Sequence, residues 1–273
     1  MQPVIEGQYF LMDRTLKSVS YFNASPAPDS ICVYEVFRIE RFKPLFINEH
    51  LERFKNTLKI AGLKPHLNIE GLRGSLNLLF SANNIENGNV KLDFRQMPSG
   101  ESQFMAYFIQ TNYPGENELT EGVKCALQFS ERHHPEAKIY NPEVRDKADA
   151  IIEQQHIYET LLVNSENYLT EGSRSNLFFI KDYELITAGD TLVLPGIIRH
   201  KVIDLAKELN IPITYRTVHI DELNSMDAAF ITGTTPRMLS ISRIAEITYP
   251  ISNSLFMQLR DTLLNLIEEE INS

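Results

Sequence analysis

The chain has 273 residues, with 26 Lys and Arg against 36 Asp and Glu, a formal charge of −10, 43% hydrophobic and 23% charged residues. That composition belongs to a globular chain long enough for one large or two modest domains. An acidic balance without a basic cluster excludes nucleic acid as the main partner, and no apolar run approaches the roughly 20 residues of a membrane helix.

The N-terminus, MQPVIEGQYFLMDR, has neither a positive start nor an apolar stretch, so no signal peptide is expected. Residues 31–38, ICVYEVFR, are β-branched and aromatic and predict a strand. IERFK reads as a turn and PLFI as a returning strand. Asn48 is the expected cap of a helix in which Leu51, Phe54, Leu58 and Ala61 recur at helical spacing, with Gly62 near its end. On that helix His50 and Arg53 share a face turned away from Leu51, which by itself reads as solvated. A second helix is expected over 68–82, followed by the strands VKLDFRQM and FMAYFIQTNY around the turn PSGES.

Residues 113–122, YPGENELTEG, hold little to bury and mark a boundary. The expected layout is an N-terminal α/β domain over 1–113, a linker over 114–122 and a C-terminal domain over 123–273. The second half begins with the strand VKCALQFS and the polar stretch ERHHPEAKIYNP. A helix over 143–156 and the strand YETLLVN come next. After LTEGSRSNLFFI and ELITA, the loop GDTLVLPG enters a helix whose buried face is Val202, Leu205, Ala206 and Leu209. IPITYRTV and DAAFITG are strands, and a C-terminal helix carries Leu255, Leu259, Leu263 and Ile267 on one face. Cys32 and Cys125 match no metal or redox spacing and read as buried apolar side chains in a reducing, cytoplasmic setting.

Two places offer donors for an anion, although on residue chemistry alone an ordinary helix entry after Pro195 and a polar turn are the plainer readings of them. The helix beginning near Gly196 offers free N–H groups at Ile197 and Ile198, and Thr232-Gly233-Thr234-Thr235 follows an apolar strand. No P-loop, GxGxxG, HExxH or CxxC pattern occurs, so neither a nucleotide site of those types nor a metal site is expected.

The run from Glu171 to Arg199, EGSRSNLFFIKDYELITAGDTLVLPGIIR, resembles the signature of the class IV (fold-type IV) pyridoxal-phosphate enzymes. The matching positions are Glu171, Ser173, Asn176, Leu177, Phe178, Leu185, Thr187, Leu194, Gly196, Ile197 and Arg199. VYEVFRI around Tyr34, the HLER of His50–Arg53, the KIYN beginning at Lys138 and the FITGTT ending at Thr235 extend the resemblance along nearly the whole chain. It implies a two-domain α/β fold, an aminotransferase activity on amino acids and 2-keto acids, and a homodimer.

The resemblance also implies roles. Lys138 is the Schiff-base lysine and the general base and acid. Glu171, 33 residues further on, faces the cofactor's ring nitrogen. Arg53, the Ile197 and Ile198 N–H groups, Thr234 and Thr235 hold the phosphate. Ile198 stands where relatives often carry Thr. Tyr34 and Arg95 are substrate-binding candidates, and Arg132 is a candidate for the ring oxygen. Lys147 is the rival for the Schiff base, but it lies in a predicted helix only 24 residues before Glu171 and lacks the following Asn.

Within the family, Tyr34 suits D-amino-acid and branched-chain aminotransferases, whereas Met97 replaces the His of the D-specific enzymes. Aminodeoxychorismate lyase, releasing pyruvate and 4-aminobenzoate, is the alternative, weakened by Val36 in place of a Thr. A non-catalytic binding protein is the third reading, which the joint presence of Lys138, Glu171 and Arg53 disfavours.

Overall fold

The computed structural model describes residues 4–23, 29–65, 68–69 and 71–273. Residues 1–3 of the N-terminal segment, and Glu70 within the helix expected over 68–82, lie outside them. The fold is mixed α/β, and the chain divides into two compact units. The first comprises residues Met1–Asn112, Ala137–Tyr140 and Glu270–Ser273; the second comprises Tyr113–Glu136 and Asn141–Glu269.

In the first unit, six described strands form an antiparallel sheet. They are β1 (Ile5–Met12), β2 (Thr15–Ser18), β3 (Ile31–Glu40), β4 (Lys43–Pro44), β5 (Gly88–Gln96) and β6 (Ser102–Ile109), in the order β2-β1-β6-β5-β3-β4. Alternation sorts the side chains by face. Val33, Phe37 and Ile39 of β3, Val90, Leu92 and Phe94 of β5, and Phe104 and Phe108 of β6 belong to one core with helices α1 (Ile47–Ile60) and α2 (Leu72–Asn83). From α1 that core takes Leu51, Phe54 and Leu58, and burying a side chain such as Phe54 or Leu58 stabilises by about 1.5–3 kcal/mol. Phe10, Met105 and Tyr107 cluster separately.

Three local expectations are corrected here. PLFI is not a strand: β4 ends at Pro44, the Leu45 N–H makes one more bond to the Arg38 carbonyl at 2.8 Å, and Phe46 then turns the buried chain into α1. Asn48 is not the cap of α1; Phe46, in a left-handed conformation, precedes the helix, and its N–H donates to Glu270 Oε1 at 3.1 Å. His50 and Arg53 are not solvated but buried.

The second unit is built on a ten-stranded mixed sheet. Its strands are β7 (Val123–Phe129), β8 (Glu159–Val163), β9 (Tyr168–Gly172), β10 (Asn176–Lys181), β11 (Glu184–Thr187), β12 (Ile213–Tyr215), β13 (Val218–His219), β14 (Ala228–Gly233), β15 (Arg237–Ile244) and β16 (Ile247–Thr248). They run in the order β12-β11-β10-β14-β15-β7-β8-β9-β13, with β16 paired to β15. Helix α3 (Glu116–Glu121) occupies most of the stretch read as a linker. Helix α4 (Pro142–Gln155) is capped by Asn141, whose side chain accepts from the Val144 N–H at 3.2 Å, with Pro142 in its first turn.

Helix α5 (Ile197–Glu208) buries Val202, Leu205 and Ala206, but Leu209 is an exposed terminal residue rather than part of that face. Helix α6 (Ser254–Asn272) buries Leu255, Leu259, Leu263 and Ile267 as its period requires. Both cysteines are free and buried.

The polar stretch expected to belong wholly to the C-terminal half contributes Ala137–Tyr140 to the first unit. The reason is backbone pairing. The Tyr34 N–H donates to the Lys138 carbonyl at 3.1 Å and the Tyr140 N–H to the Cys32 carbonyl at 2.9 Å, with Ile139 bridging Val33 antiparallel. The open edge of β3 beyond β4 is thereby satisfied. Lys138 is therefore supplied by the first unit, not by the larger second one.

Candidate active site

In the first unit the chemistry gathers around Glu35, which the sequence reading passed over. β3 alternates Val33, Glu35, Phe37 and Ile39 toward α1, so a carboxylate stands in an otherwise apolar row, fully buried. A buried charge persists only if paired. Arg53 supplies the pairing, with Nε donating to Oε2 at 2.8 Å and Nη2 to Oε1 at 2.6 Å. His50 Nδ1 lies 3.1 Å from Oε1, the Val36 N–H donates to the same oxygen at 2.8 Å, and Lys138 Nζ stands 4.0 Å from it.

Burial pushes the Glu35 carboxyl up. The charges of Arg53 and Lys138 and the hydrogen bonds from Arg53 and His50 outweigh that and hold it well below the usual carboxylate range. Burial lowers His50, only partly opposed by Glu35, which favours the neutral ring. An ionised Glu35 only accepts, so the ring's proton is assigned to Nδ1.

His50, Arg53 and Thr57 form a polar stripe along α1, and Thr57 Oγ1 accepts the Lys138 backbone N–H at 3.3 Å. One helix face thus grips both the carboxylate and the lysine's own backbone.

Tyr34 is half-buried, with Lys138 Nζ and Lys91 Nζ each 5.3 Å from its ring centroid. The other substrate candidate, Arg95, is held differently. Its Nη2 donates to Asp93 Oδ2 at 2.7 Å, and both residues are buried. Burial raises the Asp93 carboxyl, but the Lys91 charge and the Arg95 hydrogen bond more than reverse that. The structure thus brings Tyr34, Arg53 and Lys138 together, while Arg95 is paired within the protein.

In the second unit Glu171 closes β9. Its Oε2 accepts from the Asn176 side-chain amide at 3.2 Å and the Leu194 N–H at 3.1 Å, and Arg132 Nε stands 3.3 Å from Oε1. Arg132 Nη2 also donates to the Ser173 carbonyl. Arg132, a ring-oxygen candidate on sequence, is therefore a partner of Glu171 here.

Asn176 also donates to the Leu194 carbonyl at 2.8 Å, which fixes the loop entering α5. Buried Arg199 braces the same loop through Asp190, at 2.5 Å, and the Ala188 carbonyl, at 2.6 Å. Helix α5 begins at Ile197 with no side-chain cap and no acidic residue in its first turn. Thr234 and Thr235 lie in the turn after β14, half-buried.

A Cβ at Gly196 would sit 2.0 Å from Asn176 Oδ1, and Asn176 is tethered at its other end. Gly196→Ala is therefore expected to cost about 1–3 kcal/mol, read as a lower urea midpoint. The rival lysine, Lys147, is exposed on α4 and donates to the Phe129 carbonyl at 2.8 Å and to Ser130 Oγ at 3.2 Å.

A model of the amino-transferase class IV family matches residues 32–244. The D-alanine aminotransferase of Listeria innocua is 32% identical over 230 residues, covering 78% of each chain. A probable branched-chain-amino-acid aminotransferase of Thermotoga maritima is 28% identical over 247 residues, 86% of this chain and 88% of that protein. The solved branched-chain amino acid aminotransferase of Escherichia coli has the same fold, with a TM-score of 0.86 at 19% identity, covering 97% of this chain and 96% of the other. The chain belongs to the class IV aminotransferases, pyridoxal-phosphate enzymes that move an amino group between an amino acid and a 2-keto acid.

Proposed function

We propose that this transamination runs through Lys138. The observation that carries the reading is the environment of that amine, half-buried beside Tyr34 and the Glu35–Arg53 pair, while Lys147 is exposed on a helix. The donor set fits pyridoxal phosphate. A primary amine, a guanidinium, an uncapped helix N-terminus and two threonine hydroxyls suit an aldehyde and a phosphate, and a carboxylate held by neutral donors and Arg132 suits a protonated ring nitrogen.

When bound, the cofactor supplies an electron sink for the bonds of the substrate α-carbon. Lys138 would hold the cofactor's aldehyde carbon through its amine and would hold and move the proton at the substrate α-carbon. Glu171 keeps the ring nitrogen protonated. Each unit offers donors suited to a phosphate: Arg53 in the first, and the Ile197 and Ile198 N–H groups, Thr234 and Thr235 in the second. Tyr34 is the better placed substrate contact, since Arg95 is engaged by Asp93.

A domain boundary near 113–122, with Ala137–Tyr140 and Glu270–Ser273 joined to the N-terminal part, a two-fold homodimer and a cytoplasmic setting complete the proposal. The free buried thiols support the last, and among the described residues no helix is long and apolar enough to cross a membrane.

The test is the visible spectrum of the pyridoxal-phosphate-loaded protein with pooled L- and then D-amino acids. Conversion to the pyridoxamine form with release of 2-keto acid is expected from one pool, and that pool assigns the stereochemistry. Pyruvate release from aminodeoxychorismate without conversion by either pool would instead assign the lyase.

A further inference from the structure

A carboxylate in the apolar row of β3 is a poor way to stabilise a sheet. Replacing a buried ion pair by well-packed apolar side chains is often neutral or stabilising, so the fold alone gives little reason for Glu35. The position of its two oxygens gives a better one. Oε2 takes Arg53 Nε and Oε1 takes Arg53 Nη2, so the carboxylate grips one edge of the guanidinium, side-on. Oε1 also meets His50 and stands 4.0 Å from Lys138 Nζ. One buried group therefore fixes a long, multiply rotatable arginine and stands 4.0 Å from the lysine proposed to bind the aldehyde. The stripe of α1 that carries His50 and Arg53 also holds the Lys138 backbone through Thr57.

We propose that Glu35 is a positioning residue for Arg53, fixing the guanidinium at a set offset from Lys138 so that the protein selects the phosphorylated over the unphosphorylated form of its aldehyde cofactor. This rests on the reading that Lys138 and Arg53 hold that cofactor. Orienting the arginine in advance removes the ordering cost from the binding step. The hold uses Nε and Nη2, so Glu35 takes one edge of the guanidinium and fixes its plane.

The sign of one substitution separates positioning from charge. Glu35 is negative, so by charge alone it opposes a phosphate, and Glu35→Gln would tighten phosphate binding. By positioning, the same change loosens Arg53 and weakens it.

The experiment titrates the 273-residue chain, freed of cofactor, with pyridoxal 5′-phosphate and separately with pyridoxal, followed by absorbance. Wild type, Glu35→Gln, Arg53→Met and the double variant are compared, with unfolding midpoints recorded for each. Glu35→Gln is expected to reduce the preference for the phosphorylated ligand about tenfold, while pyridoxal binding changes less than about twofold. Arg53→Met reduces the same preference, and the double variant is no worse than Arg53→Met alone.

An unchanged or increased preference in Glu35→Gln overturns the proposal, and so does an equal loss for both ligands, which marks a structural role only. Should Glu35→Gln not fold, His50→Gln, which withdraws the ring donor from Oε1, decides the matter. It is expected to lower the preference about threefold, and no change overturns the proposal. A wild type that binds both ligands equally removes the underlying reading as well, whereas a wild-type preference retained in Glu35→Gln removes only this inference.

Discussion

Replacing Lys138 with alanine is expected to remove the visible band of the lysine-bound cofactor and to lower transamination by about four orders of magnitude or more. The size follows from two losses at one atom, the nucleophile that forms the bond to the cofactor and the base that moves the substrate proton. Fold stability should change little, because Lys138 is held mainly through its backbone. Its carbonyl accepts from Tyr34 and its N–H donates to Thr57, and alanine keeps both contacts. An unfolding midpoint within a few degrees of wild type, together with the lost band, is the result that checks this. The parallel Lys147→Ala change should leave the band in place, since that amine serves the Phe129 carbonyl and Ser130 on an exposed helix.

The second large effect is on stability. Arg53→Met leaves Glu35 buried without the guanidinium that engages both its oxygens, and breaking a buried pair in this way costs about 3–5 kcal/mol. The apparent Tm at pH 7 should fall by about 5–15 °C.

Its pH dependence has a definite sign. In the wild type the folded-state pKa of Glu35 lies well below its unfolded value, so its contribution is present above about pH 4.3 and is lost as pH falls through the folded value. In Arg53→Met, burial of the carboxyl is no longer outweighed by the guanidinium, and the folded pKa rises. In that variant the carboxyl takes up its proton at a higher pH than in wild type, which relieves the unpaired buried charge as pH falls. The gap between the two proteins should therefore be largest near neutrality and should close toward pH 4. Urea midpoints across that range measure it, and a gap constant with pH would contradict the assignment of the charge on Glu35.

Some features were legible in the sequence because they are local and periodic. The leucine stripe of α6 and the hairpin of β5 and β6 follow from spacing of 3.6 and 2 and from the turn between strands. The Glu171–Arg199 run was legible as a family resemblance because its fixed positions serve one compact device. Glu171, Asn176, Leu194 and the entry to α5 are joined by hydrogen bonds within the second unit.

What escaped the reading was long-range. Lys138 belongs to the first unit because residues 138–140 complete the edge of a strand about a hundred positions earlier, which no local pattern signals. Arg53 and His50 read as solvated because a polar stripe opposite Leu51 usually is. They are buried because Glu35, in the adjacent strand, needs them. The available signal was that carboxylate, placed where period 2 calls for an apolar side chain between Val33 and Phe37. Arg95 reads as an open cation until Asp93, two residues away on the same strand face, is seen to engage it.

The most direct measurement is reductive trapping. The protein loaded with pyridoxal phosphate is treated with borohydride, digested, and mapped by mass spectrometry. The account predicts the phosphopyridoxyl group on Lys138, in the peptide containing Ile139, Tyr140 and Asn141. A group fixed on Lys147 or on another lysine, or none on any, would contradict it.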